Sequence, residues 1–246
     1  MKKYLIAFAI AFIFNPPLTY SQLEPGQNLQ MGVSAVNARD FEEGIKYLTD
    51  YLKTVPNDPE GRYNRAIAYY FMKDYPRALQ DATVAIGENT LNSPAFNLRG
   101  QIYTAMQNYS QAISDFNSAI IANADFGDAY LNRAIVYKLQ NEYPLAIADL
   151  NTALIINPTL MDAYYLRGEI HVSMGNYKDA INDLTMFANN FPDKASVYAA
   201  RGLAYFQMGN YSESITDLEK AVSLDPGLTG DYNTILNEAK SKAASK

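Results

Sequence analysis

The chain has no cysteine and no tryptophan, and its one histidine is His171. Without thiols there can be no disulfide, thiolate metal site, cysteine nucleophile or lipid-modified cysteine. One imidazole cannot be joined by a second to build a metal site, nor complete a base–nucleophile pair from the residues around it. A glycine-rich phosphate loop is also missing, because the Arg-Gly pairs at 99–100, 167–168 and 201–202 lie within helical patterns. Asp179 and Asp183 stand four apart without a pocket to separate their pKa values, which reads as a solvated face beside a structural aspartate. No catalytic residue, metal or cofactor is therefore expected. Charge is sparse as well: 19% of residues are charged, the formal net charge is −6, and no basic stripe is present. Nucleic acids and anionic membranes are themselves negative, so neither is an expected partner.

Long apolar runs are absent except at the start, "MKKYLIAFAIAFIFNPPLTYSQ". Lys2 and Lys3 precede eleven apolar residues, Tyr4 to Phe14, and Asn15, Pro16 and Pro17 then break any helix. Thr19, Tyr20 and Ser21 supply a small-x-small site. Those are the parts of a secretory signal peptide. As a helix the apolar run would span roughly 16 Å, about half a bilayer's hydrocarbon core. Residues 1–21 are expected to be a signal peptide, which makes the protein exported, either periplasmic or secreted. The alternative is retention of this segment as an anchor.

Most of what remains is one pattern repeated. "YYLRGEIHVSMGNYKDAINDL" at 164–184 returns as "YAARGLAYFQMGNYSESITDL" at 198–218, 34 residues later. Units of that length start at Pro25, Pro59, Ser93, Gly127, Met161 and Ala195, without insertions. From the second unit onward, position 17 is always tyrosine: Tyr75, Tyr109, Tyr143, Tyr177 and Tyr211. Position 8 is always small: Gly32, Ala66, Gly100, Ala134, Gly168 and Gly202. Positions 4, 7, 8 and 11 form one helical stripe, and 17, 20, 21, 24, 27 and 28 another. Turn residues separate them, as in "MGNY" at 174–177, and proline follows the second stripe at Pro56, Pro158, Pro192 and Pro226. Thr90 and Ala124 replace that proline in two units, where a less sharply turned junction is expected. Each unit is thus a helical hairpin that cannot bury its apolar face alone, and stacking completes the core.

These residues resemble the tetratricopeptide repeat family, whose 34-residue pattern is matched by Tyr164, Gly168, His171, Ala180, Leu184 and Pro192 in the fifth unit. The resemblance covers residues 25–228. It implies an all-α fold, a right-handed α-solenoid of six repeats (25–58, 59–92, 93–126, 127–160, 161–194 and 195–228). Residues 229–246 read as a C-terminal capping helix and tail. In that segment Asp231 is the expected N-cap, Tyr232, Ile235, Leu236 and Ala239 the apolar face, and the lysine-containing end is expected to fray.

One departure from the family pattern is systematic. Position 7, a leucine in the family, is Arg65, Arg99, Arg133, Arg167 and Arg201 in five consecutive units. The same units carry Asp81, Asp115, Asp149, Asp183 and Asp217 at position 23, while the first unit has Met31 and Tyr47. The two features come and go together, and the facing sides of an antiparallel hairpin would bring them together. Each cation arrives with its own anion, so a row of internal ion pairs is favoured over a ligand-reading charge ladder.

In the family the first helices line a concave groove. Carried over position by position, the partner-binding residues are Tyr63, Asn64, Ile67, Tyr70 and Phe71 in the second unit, and Asn97, Gln101 and Thr104 in the third. Leu131, Asn132, Ile135 and Lys138 follow in the fourth, Tyr165 and Glu169 in the fifth, and Leu203 and Phe206 in the sixth. Aromatic rings and amides suit a peptide or a protein loop, whose main chain the amides can bond. Lys138 is the groove's one cation, which argues against a clamp for carboxylates. The expected function is a non-catalytic protein–protein interaction scaffold or adaptor. The alternative is a chaperone-like holder of exported polypeptides, using the same groove with low selectivity.

Overall fold

A computed structural model describes residues 24–87 and 91–245, so the expected signal peptide at 1–21 lies outside the described residues. Thirteen α-helices and one short 3-10 turn, Pro226–Leu228, make up the regular structure of the described residues. The first helices of the hairpins are α1 Pro25–Asn37, α3 Pro59–Phe71, α5 Ser93–Ala105, α7 Gly127–Leu139, α9 Met161–Ser173 and α11 Ala195–Gln207. The second helices are α2 Phe41–Thr54, α4 Tyr75–Ile86, α6 Tyr109–Ala122, α8 Tyr143–Ile156, α10 Tyr177–Asn190 and α12 Tyr211–Leu224. A last helix, α13 Thr229–Ala244, lies against α12 and α11. None of the described helices is long and apolar enough to cross a membrane.

Each odd-numbered helix packs along the even-numbered one after it, and each even-numbered helix packs on the first helix of the next repeat. The odd-numbered helices also touch their counterparts in the next repeat, and no comparable contact joins the even-numbered ones. The odd row is therefore the inner side of the curve. This is the all-α solenoid that the resemblance implies.

Side-chain size sets the hairpin spacing. A Cβ added to Gly100 would stand 2.6 Å from the Phe116 ring, and one on Gly168 2.8 Å from Leu184 Cγ. Position 8 is thus glycine in the third and fifth repeats, where Phe116 and Leu184 press on it, while the fourth repeat fits Ala134 against Leu150, both fully buried. In the second repeat Ala66 faces the small Ala82, and both are fully buried. Small residues at position 20, Ala112, Ala146 and Ala180, are buried from the other helix. Close approach of this kind replaces bulk with backbone contact along the hairpin.

The turn inside each hairpin puts position 15 in the left-handed region. Gly175 and Gly209 take φ of 78° and 76°, and Arg39, Lys73, Gln107 and Asn141 take 60° to 65° at the same place. Two of the following helices are then capped by aspartate: Asp40 Oδ1 accepts from Glu43 N–H and Asp74 Oδ1 from Arg77 N–H.

Thr90 lies outside the described residues. Ala124 does not loosen its junction, because Asn123 Oδ1 accepts from Asp125 N–H at 3.0 Å, and Asn157 Oδ1 makes the same bond to Thr159 N–H before a repeat that has Pro158. The asparagine makes the turn with or without the proline. Asp231 is not the cap of α13: the helix begins at Thr229 with Leu228 in the cap position, and Asp231 sits in the first turn. Its end is helical through Ala244, where Lys240 reaches Glu219 of α12 at 2.7 Å and Lys242 pairs with Glu238.

Candidate functional site

Along one side of the stack runs a row of guanidinium–carboxylate forks. Arg99 gives Nε and Nη2 to the two oxygens of Asp115, both at 2.7 Å. Arg133 does so to Asp149 at 2.8 and 2.6 Å, Arg167 to Asp183 at 2.7 and 2.7 Å, and Arg201 to Asp217 at 2.7 and 2.8 Å. Arg65 binds Asp81 in the same way at 2.6 and 2.9 Å. All five aspartates are buried. Bidentate geometry uses the planar fork that lysine lacks. The hydrogen bonds to aspartate hold Arg99, Arg133, Arg167 and Arg201 above the ordinary arginine pKa, against the opposing pull of burial. For Arg65 burial is the largest single influence and lowers the pKa, but bonding and charge from Asp81 together outweigh it.

The third donor of the fork was not foreseen. Arg133 Nη1 donates to Asn117 Oδ1, and Arg167 Nη1 to Asn151 Oδ1. Arg65 Nη1 reaches Thr49 Oγ1 at 3.1 Å, and Arg201 Nη1 reaches Thr185 Oγ1 at 3.0 Å. Each acceptor stands at position 25 of the preceding repeat. The arginine therefore closes its own hairpin with two donors and ties it to the previous hairpin with the third. The signal was present in the sequence, since position 25 reads Thr49, Thr83, Asn117, Asn151 and Thr185. The aromatic residue at position 4 lies under the same guanidinium, with Tyr130, Tyr164 and Tyr198 ring centres 5.5 to 5.6 Å away. In the second repeat position 4 is Arg62, whose Nη1 also binds Asp81 at 2.6 Å, so one carboxylate there holds two arginines.

On the concave side the expected groove residues separate into three groups. Tyr70, Gln101, Thr104, Asn132 and Ile135 surround one cavity of about 180 Å³ between the second and fourth repeats. Lys138, Tyr165, Glu169 and Leu203 line another, of about 380 Å³, between the fourth repeat and α13. The rest are used for packing. Asn97 and Leu131 are buried, and Tyr63 and Ile67 lie against the apolar cluster of Ala66, Tyr69 and Ile102. The Asn64 amide bonds its own helix at Glu60 O. Phe71 stacks on Phe41 of the first repeat at 4.9 Å, with ring planes 9° apart. Phe206 meets Tyr211 edge-on beneath the Lys242 ammonium.

Two bonds across repeats fix the groove floor. Asn132 Nδ2 donates to Asn97 Oδ1 at 3.0 Å, and Lys138 Nζ donates to Glu169 Oε2 at 2.7 Å. The groove's single cation thus already has a carboxylate. Burial pushes the Tyr165 phenol up to about 12, with Glu169 adding to the rise and the Ser196 hydroxyl opposing it. Burial likewise raises Tyr70. Leu228 and Tyr232, which wall the larger cavity from beyond the repeats, were absent from the expected groove. The apolar face of the C-terminal helix carried the signal, but only the direction of its docking shows that Tyr232 reaches the concave side.

Models of the tetratricopeptide repeat match residues 29–92, 93–126, 162–194 and 195–228, and a model described as a TPR repeat matches 136–175. No curated protein matches the chain. Among solved structures it is similar to a tetratricopeptide repeat protein from Parabacteroides merdae, with 18% identity, a TM-score of 0.66, and coverage of 89% of this chain and 93% of that one. It is similar to PilF of Pseudomonas aeruginosa at 14% identity and a TM-score of 0.72, covering 89% and 97%. It is also similar to YrrB, a TPR protein with an unusual peptide-binding site, at 20% identity and a TM-score of 0.62, covering 79% and 97%. At these identities the likeness is one of fold.

Proposed function

Because the chain belongs to the tetratricopeptide repeat family, we propose that it is a non-catalytic scaffold or adaptor that holds an extended segment of another protein along its concave row. The repeats support protein–protein interaction, and the fold is in general a non-enzymatic scaffold. The observation that carries the reading is the pair of concave cavities lined by amide, hydroxyl and aromatic groups from successive first helices. First helices recur at roughly 10 Å, and an extended chain advances about 3.3 Å per residue, so each repeat meets about three residues of ligand. Gln101 and Asn132 then bond the ligand main chain, while Tyr70 and Tyr165 give apolar contact without a large entropy cost. Lys138 is neutralised by Glu169, so affinity is expected to depend only weakly on salt. The apolar run within residues 1–21 supports an exported site of action, in the cell envelope or outside the cell.

A second reading is a holder of exported polypeptides. One edge of the stack favours it, since Met72, Met106, Met174 and Met208 recur at position 14 and are all exposed. Flexible thioethers adapt to many apolar partners. The test is selection of displayed ten-residue peptides on the native chain and on the double variant Gln101→Ala, Asn132→Ala, with helicity checked by circular dichroism. A shared motif recovered by the native chain and lost by the variant supports the adaptor. Indiscriminate recovery of apolar peptides supports the holder. Equal recovery by both chains would remove the groove from the proposal.

A further inference from the structure

The sixth repeat hollows the concave row. At position 5 the other repeats carry Leu29, Tyr63, Asn97, Leu131 and Tyr165, and at position 6 Gln30, Asn64, Leu98, Asn132 and Leu166. The sixth has Ala199 and Ala200 there, and both line the cavity of about 380 Å³. The first helix α11 packs on α9 and on α13, so it forms the floor, with Tyr165 on one side and Tyr232 on the other. The walls carry three charges. Lys138 is engaged by Glu169 at 2.7 Å. Asp225 has no cation beside it among the described residues, and its Oδ1 accepts only from Gly227 N–H at 3.0 Å. The cavity is therefore apolar on its floor and carries one excess negative charge in its walls.

We propose that this cavity is an anchor pocket for one arginine side chain of an extended peptide. The inference rests on the groove reading above and adds what the groove selects. Charge and shape choose the occupant. A leucine or phenylalanine side chain would cover the Asp225 carboxylate without compensating it. A glutamate or a terminal carboxylate would meet Asp225 and find Lys138 already paired. Arginine brings an apolar stem for Ala199, Ala200 and Leu203, and a cation for Asp225. Its planar guanidinium is weakly hydrated and stacks on rings such as Tyr165 and Tyr232, whereas the lysine ammonium is compact and strongly hydrated. An ion pair inside a cavity is screened less than one on the open surface, so the weak salt dependence expected of the groove is kept. At about three ligand residues per repeat, the arginine lies about six residues along from the main chain that Gln101 and Asn132 bond.

The test is titration of the isotope-labelled chain with N-acetylarginine amide, read by backbone amide chemical shifts, beside the same amides of lysine, leucine and glutamate. The arginine amide is expected to give saturable shifts at Ala199, Ala200 and Tyr232. The leucine and glutamate amides should bind at least about tenfold more weakly, and the lysine amide about threefold more weakly. Asp225→Asn, which keeps an acceptor for Gly227 N–H, should weaken the arginine amide at least about fivefold. Ala200→Leu, which restores the bulk of the other repeats, should abolish its binding with unchanged circular dichroism. An arginine amide that binds no better than the leucine or lysine amide overturns the proposal. So do shifts that never saturate or that lie elsewhere, and so does binding that neither variant weakens. Peptide selection with the Gln101 and Asn132 variant reads the smaller cavity, so the groove reading and the anchor can fail separately.

Discussion

The junction between the third and fourth repeats and the junction between the second and third use nearly the same residues and are held differently. At the first of these, Arg133 grips Asp149 with two donors and Asn117 of the repeat before with the other. The helix α6 runs its full 14 residues into an asparagine turn. At the other, Arg99 grips Asp115, but among the described residues it makes no bond to the second repeat. Thr83, at the acceptor position, turns its hydroxyl back to Leu79 O of its own helix. The helix α4 stops after 12 residues, and Gly87 follows with a φ of 50°. Asn92 takes over, accepting from Ala95 N–H and donating to Ala85 O at 3.1 Å, above the cluster of Ala85, Ile86 and Ala95. A polar staple and an apolar seam with one amide are thus two solutions to one stacking problem.

The strongest way to break this comparison is at the fork. Arg133→Ala is predicted to cost about 3 kcal/mol in urea unfolding, because Asp149 is left buried without its partner. The coupling between Arg133→Ala and Asp149→Ala in a double-mutant cycle should be large, and additivity of the two would disprove a desolvated pair. Next in size is Gly100→Ala, predicted to cost about 1–3 kcal/mol as the new methyl group drives Phe116 from its seat. Gly230→Ala, with nothing within 4 Å of the added carbon, should be near neutral or slightly stabilising in the same assay.

The third prediction sharpens the contrast between junctions. Asn117→Ala removes the bond to Arg133 and should cost about 1 kcal/mol, with faster amide exchange in α6 and α7. Thr83→Ala at the equivalent position has no such bond to lose and should change stability by less than about 0.5 kcal/mol. Equal effects would mean that the staple does not hold the stack. Smaller gains are expected at the turns. Lys73→Gly and Gln107→Gly relieve left-handed backbone and should each stabilise by about 0.5–1 kcal/mol, measured by thermal unfolding.

The last effect is a matter of pH and is seen only in alkali. Tyr165 keeps its proton to about 12, above the unfolded value of 10. Its contribution to stability is therefore fully present below pH 10 and is lost as pH rises through 12. Absorbance titration at 295 nm should show a late-ionising phenol that disappears in Tyr165→Phe. An unchanged titration curve would place the late phenol elsewhere.

The two ends of the stack show where the staple stops. Position 7 of the first repeat is Met31, which needs no acceptor in front of it. Position 25 of the last repeat is Glu219, and Lys240 of α13 meets it at 2.7 Å, where another repeat would have offered an arginine. A capping helix thus satisfies the last acceptor by changing both partners.

The sequence by itself determined the hairpins, their order and the pairing of arginine with aspartate. The reason is periodicity: 34 residues return each side chain to the same surroundings, so Arg133 and Asp149 are informative because four other pairs repeat them. Only the tertiary structure decided what lies between repeats. Asn97 and Asn132 stand 35 residues apart and bond across two hairpins, the half-exposed Phe71 stacks on Phe41 of the first repeat, and Tyr232 enters the concave side from beyond the last repeat. Those outcomes depend on the rotation between neighbouring hairpins and on which way each ring turns. Both are set by contacts summed over several helices, which the spacing of residues along a single helix does not encode.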